Sequence, residues 1–430
     1  MTIGKLDSRL AGIHATILLI VFAVSTVTLS MRAAEGPAAG KHSGRYALLG
    51  GKVVTITGEA LDGAVVLVAD GKIENVIDDP DHTYKAPDGY ETIDVRDRWI
   101  LPGFVDLHSH IGGTDINEMV YPVNSGLRVL DNILPDNPRL QKAVAGGVTT
   151  ILFIPGSGTN MSGFGALLKT AGKDLDEILV RFPGALKIAQ GGNPERRGGD
   201  LGRHRMGMNY LIREALREGK EYTEAWDAFE AGKREQAPVK NPRLEYFRGL
   251  FHREYPVVVH TQGAALIQST LRILYDEMAL WVVIDHGTFD GFKLAGEVSK
   301  RGVMVMNGPR QFDFDFNEGR FNGNASEWEK GGVKEVGINT DAPVIPQEEL
   351  FFQAAMAVRL GLDPHVALRG LTMSPAKAVG IDDRLGSIEK GKDADLVVWT
   401  GDPFDIRNYV TLVLVNGKIH YDTRKEPRRF

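Results

Sequence analysis

The sequence predicts a (β/α)8 TIM barrel with a small composite β-sandwich domain formed by the two flanks of the chain. Short apolar runs alternate with helical patterns between about Leu101 and Pro375, which is typical of βα units around a parallel sheet. Eight such runs occur there. Both flanks are instead rich in strand patterns, so we expect them to meet in one small domain. A chain of 430 residues is long enough for these two domains.

The N-terminal segment differs in composition from the rest of the chain. Lys5 and Arg9 precede an apolar stretch over residues 11–29, and residues 36–43 form a linker rich in small residues. This order predicts that residues 1–35 are a signal peptide or a membrane anchor. The globular part would then be exported to the periplasm or the exterior, or held at the membrane. Cleavage and anchoring both stay open, because residues 30–32 interrupt the expected small-residue cleavage site.

The composite β domain is predicted over residues 44–101 and 376–430. Asp70-Gly71 lies between two strand patterns, AVVLVA and KIENVI, and Asn416-Gly417 lies between LVLV and KIHYD. Both dipeptides favour two-residue hairpin turns.

The barrel is predicted over residues 102–375. The eight candidate strands are FVDLH, TTILFIP, GFGALL, GALKIA, PVVVH, WVVID, GVMVMN and VGINTD. A polar helical stretch from about Asn209 to Gln236 is an insertion after the fourth strand. Asp363-Pro364 and Ser374-Pro375 each place a capping residue before a proline, which predicts two helix starts.

Composition limits the classes of partner. The formal net charge is −6 and no long basic run occurs, so we expect a small-molecule substrate and no nucleic acid. The chain has no cysteine, which excludes disulfides and thiolate metal ligands. Homo-oligomer formation is left open.

The chemistry is expected at the carboxyl ends of the barrel strands, where active sites of such barrels lie. His108 and His110 end the first strand and project to the same face, because alternate residues of a strand share a face. The other polar residues at these ends are Lys187, His260, His286 and Asp341. Each alone has a structural explanation, such as a polar strand end, a snorkelling lysine or a helix cap. Their convergence favours a divalent, zinc-like ion.

This set of motifs resembles the amidohydrolase superfamily of metal-dependent hydrolases. The resemblance rests on LPGFVDLHSH, the lysine of GALKIA, VVVHTQG, VIDHGT and INTDAP, and extends to the C-terminal ALRGLTMSPAKAVGIDDRLGSIEKGKDADLVVWTGDP. It is strongest for the imidazolonepropionase-like branch, which includes dipeptidases. KIAQGGNPERR resembles the strand-four segment of that branch, although Gly192 stands where an acidic residue is often found.

The resemblance implies a site for two divalent ions, with zinc the expected metal. His108, His110 and Asp341 would hold the more buried ion, and His260 and His286 the more exposed one. A carboxylated Lys187 would bridge the two ions. Imidazolonepropionase itself works with one metal and without the lysine, so Lys187 favours the dipeptidase side.

The sequence therefore predicts an amidohydrolase that cleaves a dipeptide or an N-acyl amino acid with a metal-bridging hydroxide. Asp341 would be the catalytic proton shuttle. Two other readings stay open: a cyclic-amide hydrolase or deaminase, and a non-catalytic binding protein with the same fold.

Substrate contacts are expected from the loops after strands four, five and seven. An arginine there could hold a substrate carboxylate. The run QFDFDFNEGRFNGN is interpreted either as an aromatic lid or as a hairpin at the rim. The candidate substrate residues are Asn193, Arg196, Arg197, Gln262, Asn307 and Arg310.

Overall fold

The computed structural model describes residues 34–35, 44–114, 116–195 and 199–430. Most of the predicted signal or anchor segment and the whole predicted linker lie outside this range, as do Arg196 and Arg197. Within the described residues, the structure contains no helix that combines the length and the apolar character needed to cross a membrane.

The strands fall into two large sheets and one hairpin. In chain order they are β1 Ala34–Glu35, β2 Tyr46–Val53, β3 Leu61–Ala69, β4 Lys72–Ile77, β5 Glu91–Asp94, β6 Trp99–Pro102, β7 Phe104–Ser109, β8 Val148–Phe153, β9 Met161–Lys169, β10 Leu179–Ala189, β11 Val257–Thr261, β12 Val282–His286, β13 Met304–Asn307, β14 Phe312–Asp315, β15 Arg320–Gly323, β16 Val336–Ile338, β17 Leu396–Trp399, β18 Val410–Val415 and β19 Lys418–Asp422.

The helices lie mostly between the barrel strands. They are α1 Pro138–Ala145, α2 Leu175–Ile178, α3 Arg205–Glu230, α4 Glu245–Phe251, α5 Gly263–Thr270, α6 Ala295–Lys300, α7 Asn324–Lys330, α8 Leu350–Arg359, α9 Pro364–Leu371 and α10 Met373–Ala378. A π-helical turn over Leu271–Glu277 continues α5. Short 3-10 turns occupy Val129–Asn132, Phe289–Leu294 and Gln347–Glu349.

One sheet is built from both flanks of the chain, in the order β19-β18-β17-β6-β2-β3-β4, with β5 paired to β2. The antiparallel pairing of β6 with β17, from Trp99–Trp399 to Pro102–Leu396, joins the two flanks. The two predicted hairpin turns are present, since Asp70-Gly71 and Asn416-Gly417 all have the positive φ that such turns require. These strands form one hydrogen-bonded sheet, so the two-layered sandwich and the domain boundaries stay predictions.

The other sheet is a TIM-like barrel in the order β16-β13-β12-β11-β10-β9-β8-β7, with β1 also paired to β10. A parallel bridge between Ser109 and Ala342 links the first strand to the segment after the last. The backbone N–H of His110 donates to the Ala342 carbonyl at 2.8 Å, which brings the first and eighth strand ends together. All eight predicted barrel strands are present.

The third barrel strand departs from the predicted eight parallel βα units. β9 runs antiparallel to both β8 and β10. Only residues 154–160 connect β8 to β9. A parallel neighbour needs a crossover of about a dozen residues or more, so this short connection allows only the antiparallel arrangement.

The two predicted helix starts have different outcomes. The Asp363 side chain accepts hydrogen bonds from the backbone of His365 and Val366, so it caps α9 as predicted. The prediction for Ser374 is wrong, because α10 begins one residue earlier, at Met373. The Ser374 hydroxyl instead donates to the half-buried carboxylate of Glu335 at 2.6 Å.

The aromatic run after the seventh barrel strand forms the hairpin of β14 and β15 rather than a helix or coil. Phe314 of β14 lies opposite Phe321 of β15, and the centroids of their rings are 5.0 Å apart. The outer end of the hairpin is open to solvent, with Phe316 88% exposed.

Candidate metal centre

Two imidazoles from the first barrel strand meet a carboxylate from the segment after the eighth. His108 is fully buried and His110 nearly so, with ring centroids 5.0 Å apart. The Nε2 atoms of both rings lie 3.3 Å from the same oxygen, Oδ1 of Asp341. Three ligand groups from two distant parts of the chain thus face one small space.

Backbone carbonyls determine which ring nitrogen of two histidines carries the proton. Nδ1 of His110 donates to the Ile154 carbonyl at 2.8 Å, and Nδ1 of His286 donates to the Gly308 carbonyl at 2.7 Å. Because a carbonyl oxygen can only accept, each Nδ1 bears the hydrogen while the ring is neutral. The Nε2 atoms of both rings therefore present lone pairs to the site, as metal-ligating histidines do.

His260 joins the cluster through His286. Nδ1 of His260 lies 2.7 Å from Nε2 of His286, and the two rings are nearly perpendicular, at 80°. The other nitrogen of His260, Nε2, is buried and has no hydrogen-bond partner among the described residues.

Lys187 lies near the end of β10, next to His108. Its side chain is fully buried, and Nζ lies 3.0 Å from Nε2 of His108. Burial lowers the pKa of Lys187 to about 8, because the interior disfavours the ammonium form. A substantial fraction of this amine is therefore neutral near physiological pH.

Burial also keeps the imidazoles neutral. It holds the pKa of His108 and His260 well below the ordinary value, and it lowers the pKa of His286. For Asp341, burial acts to raise the pKa, but the neighbouring His108 and His110 outweigh it, so that the pKa falls below its ordinary value. Neutral imidazoles with an ionised carboxylate are the protonation states that a divalent cation requires.

The backbone at two of these residues is strained. His286 has φ of 75° and Asp341 has φ of 51°, a left-handed region that residues other than glycine seldom adopt. Such conformations persist where surrounding contacts enforce them, and they cluster at functional sites.

Two buried carboxylates support the cluster and were not predicted. Asp106 accepts hydrogen bonds from the backbone of His108 and of Thr340, the residue before Asp341. Oδ2 of Asp285 lies 2.9 Å from Nδ1 of His108. The sequence did contain a signal for both residues, since each is a carboxylate inside an otherwise apolar strand. A buried charge requires a partner, so such a residue indicates a polar cluster.

The donors fit a divalent cation. One ligand atom from each of His108, His286 and Asp341 lies within 4.8 Å of the others. The lone pairs of His110 and His286 face this space, beside the ionised carboxylate of Asp341. Nitrogen and carboxylate donors of this kind suit zinc and related ions.

The predicted substrate residues have different positions. Asn193 is exposed and follows β10, and Gln262 is half-buried between β11 and α5. Arg310 is exposed, with its guanidinium 5.3 Å from the centre of the Phe289 ring. The prediction for Asn307 is wrong, because its side chain is fully buried and donates to the His286 carbonyl at 2.8 Å, which makes it part of the scaffold.

The fold and the site together define a metal-binding hydrolase, because imidazoles and a carboxylate meet at the strand ends of a TIM-like barrel. Comparison with known proteins identifies the family. Residues 300–420 match the model of the Amidohydrolase family. The crystal structure of an amidohydrolase from Thermotoga maritima MSB8 is 33% identical, with a TM-score of 0.79, and the match covers 88% of this chain and 100% of that one.

Two curated relatives are more distant. An imidazolonepropionase from Chromobacterium violaceum is 27% identical over 376 residues, which is 79% of this chain and 86% of that protein. Amidohydrolase tasK from Hapsidospora irregularis is 25% identical over 415 residues, 83% of this chain, but the match spans only 40% of that longer protein.

The chain belongs to the amidohydrolase family. It is a hydrolase that acts on carbon–nitrogen bonds.

Proposed function

We propose that this enzyme hydrolyses the amide bond of a dipeptide or an N-acyl amino acid at a centre for two divalent ions. The observation that carries the proposal is the position of Lys187, whose buried amine lies 3.0 Å from a ring nitrogen of His108. A buried amine among imidazoles would be repelled by metal ions if it stayed an ammonium. As a carbamate, formed with carbon dioxide, it would be an anion able to bridge two cations.

The ligand assignment is the one that the family resemblance implies. His108, His110 and Asp341 would hold one ion, and His260 and His286 the other, with zinc the preferred metal. Bound divalent ions would supply an activated water near neutral pH and would polarise the scissile carbonyl.

Asp341 would act as the proton carrier of the reaction. Its Oδ1 faces His108 and His110, and its side chain is 15% exposed, so the carboxylate can reach both the ligand cluster and the open end of the barrel. The low pKa of Asp341 keeps it ionised and ready to accept a proton from the attacking water. The same group would then deliver this proton to the leaving nitrogen.

A second candidate is hydrolysis of a cyclic amide. It is supported by curated imidazolonepropionases that match about four fifths of this chain at 25–27% identity. Lys187 separates the two candidates, because a bridging carbamate is needed only for the two-ion centre.

The test combines metal analysis with a substrate panel. The protein is loaded with zinc and bicarbonate, and hydrolysis is measured on dipeptides, N-acyl amino acids and cyclic amides. We expect two ions per chain and turnover of open-chain amides. One ion per chain with turnover of ring substrates alone would favour the second candidate.

Asp341→Asn tests the role of the carboxylate. We expect this variant to retain much of its metal and to lose about 10²–10⁴-fold in kcat, the range typical of a lost general acid–base group. Asp174→Asn is the matched control, because Asp174 caps α2 and asparagine caps equally well. Full activity of Asp341→Asn would refute the assignment.

The proposal also includes export of the enzyme from the cytosol. The basic flank and apolar stretch over residues 11–29 support an exported or membrane-anchored enzyme. Fractionation of cells that express the full chain would test it, and a cytosolic enzyme with an uncleaved N-terminus would contradict it.

A further inference from the structure

The two ring nitrogens of His260 have different surroundings. Nδ1 faces the ligand cluster, 2.7 Å from Nε2 of His286. Nε2, on the other side of the ring, is buried without a hydrogen-bond partner among the described residues. If Nδ1 binds a metal ion, Nε2 must carry the proton of the neutral ring and becomes a buried donor.

His260 differs from the other three histidines, whose second ring nitrogens each lie next to an acceptor oxygen. A metal-ligating histidine almost always donates its second N–H to a carbonyl, a carboxylate or a water. His110 and His286 donate to backbone carbonyls, and Nδ1 of His108 lies beside Asp285. A buried donor without an acceptor is costly, so an acceptor is expected to bind next to Nε2 of His260.

The space next to this nitrogen is open because residue 192 is glycine. A Cβ atom built on Gly192 would lie 3.4 Å from Nε2 of His260 and 3.9 Å from Oε1 of Gln262, and no other atom of the described residues beyond its two chain neighbours lies within 4 Å. Gly192 itself is exposed. The protein therefore leaves a solvent-accessible gap beside a buried donor.

A second donor and the local charge define what would bind in this gap. The half-buried Gln262 amide lies beside the gap with its oxygen towards it, and the reverse orientation of this amide would present the NH2 group instead. The nearby carboxylate of Glu195 is paired with Arg205 at 2.8 Å. Bound cations would make the field at the gap positive, which favours an anionic oxygen.

We propose that His260 Nε2, the Gln262 amide and the open space at Gly192 form a subsite for the free carboxylate of the substrate. This inference rests on the proposed function. One carboxylate oxygen would accept from the imidazole N–H and the other from the amide NH2. The carboxylate would thereby complete the hydrogen bonding of a metal ligand and hold the scissile amide at the centre.

The experiment measures discrimination between a free carboxylate and a carboxamide. The zinc-loaded, full-length enzyme is assayed on an N-acyl amino acid and on the same compound with its carboxylate converted to a carboxamide. Calorimetry on the free amino acid and its amide provides a readout independent of turnover. We expect the wild type to prefer the carboxylate by roughly 10- to 100-fold, as for hydrogen bonds to a charged group.

Three variants separate the parts of the subsite. Gln262→Leu should reduce the preference about tenfold without loss of metal. Gly192→Asp places a carboxylate in the gap and should abolish the preference for a substrate carboxylate. The new carboxylate would also accept from His260 Nε2, so zinc transfer to a chelator should slow by roughly 10-fold or more. Gly192→Asn is the matched control, since both residues tolerate the left-handed backbone but only the aspartate is charged. Its neutral amide oxygen is a weaker acceptor for His260 than a carboxylate, so it should slow zinc transfer less than the aspartate does.

The outcomes distinguish this inference from the proposed function. An active, zinc-loaded enzyme whose carboxylate preference is unchanged by Gln262→Leu and Gly192→Asp would overturn the subsite alone. The subsite would also be overturned if Arg310→Gln removed the carboxylate preference while Gln262→Leu and Gly192→Asp kept it. That result would favour Arg310 as the carboxylate-binding residue. A chain that takes up no metal would refute both the subsite and the proposed function.

Discussion

Asp106 ties the first barrel strand to the segment that carries Asp341. Its carboxylate is fully buried, and burial raises its pKa to about 7 despite four hydrogen-bond donors. Oδ1 accepts from the backbone of His108 at 2.9 Å. Oδ2 accepts from the backbone and hydroxyl of Thr340, at 3.0 and 2.6 Å, and from the Gln347 amide at 2.6 Å.

The cost of the substitution Asp106→Asn in free energy of unfolding follows from this geometry. An asparagine offers one acceptor oxygen and one NH2 donor in the same volume. In either orientation the NH2 group faces at least one backbone N–H, of His108 or of Thr340. One buried donor left without an acceptor costs about 1–3 kcal/mol. Because both backbone groups position metal ligands, we also expect metal affinity to fall roughly 10- to 100-fold.

The assay uses two measurements. Urea unfolding of the metal-free protein reports the free energy of unfolding, and competition with a fluorescent chelator reports zinc affinity. Asp363→Asn is the matched control, because Asp363 caps α9 at the surface and asparagine is an equally good cap. If Asp106→Asn changes zinc affinity by less than about twofold, the proposed connection between these hydrogen bonds and the metal ligands is refuted.

Two further predictions concern the buried lysines Lys187 and Lys169. With a pKa of about 8, the neutral fraction of Lys187 rises from about a tenth at pH 7 to about nine tenths at pH 9. Zinc loading in bicarbonate should therefore accelerate with pH over this range, and loading that ignores both pH and bicarbonate would contradict a carboxylated lysine. Lys169, fully buried between Asp393 at 3.2 Å and Asp395 at 2.8 Å, connects β9 to the composite sheet. Lys169→Met should destabilise the protein by about 3–5 kcal/mol, because the buried carboxylate of Asp395 loses its ion-pair partner, whereas Asp393 keeps Lys72 and Arg384. Lys72→Met, at a side chain 40% exposed, should cost at most about 1 kcal/mol. Equal urea midpoints for these two variants would disprove the difference.

Much of the fold could be predicted from short-range patterns. The eight barrel strands and the hairpin turns at Asp70-Gly71 and Asn416-Gly417 follow from residues that are neighbours in the chain. The direction of β9 was harder, because an apolar run has the same appearance in either direction and only the length of residues 154–160 restricts it. Ser374 was misassigned because its hydroxyl binds Glu335, a partner distant in sequence.

Local patterns were enough to identify the side chains at or near the ends of the barrel strands, and hence the six candidate ligands and the family resemblance. Strand periodicity is local, so it can be read from adjacent residues. The groups that support these ligands became visible only in the fold: the carbonyls of Ile154 and Gly308 behind two imidazoles, Asp106 between two strands, and the gap at Gly192 beside His260. These contacts join residues far apart in the chain. Their hydrogen-bond geometry depends on the closed barrel, which no local pattern specifies.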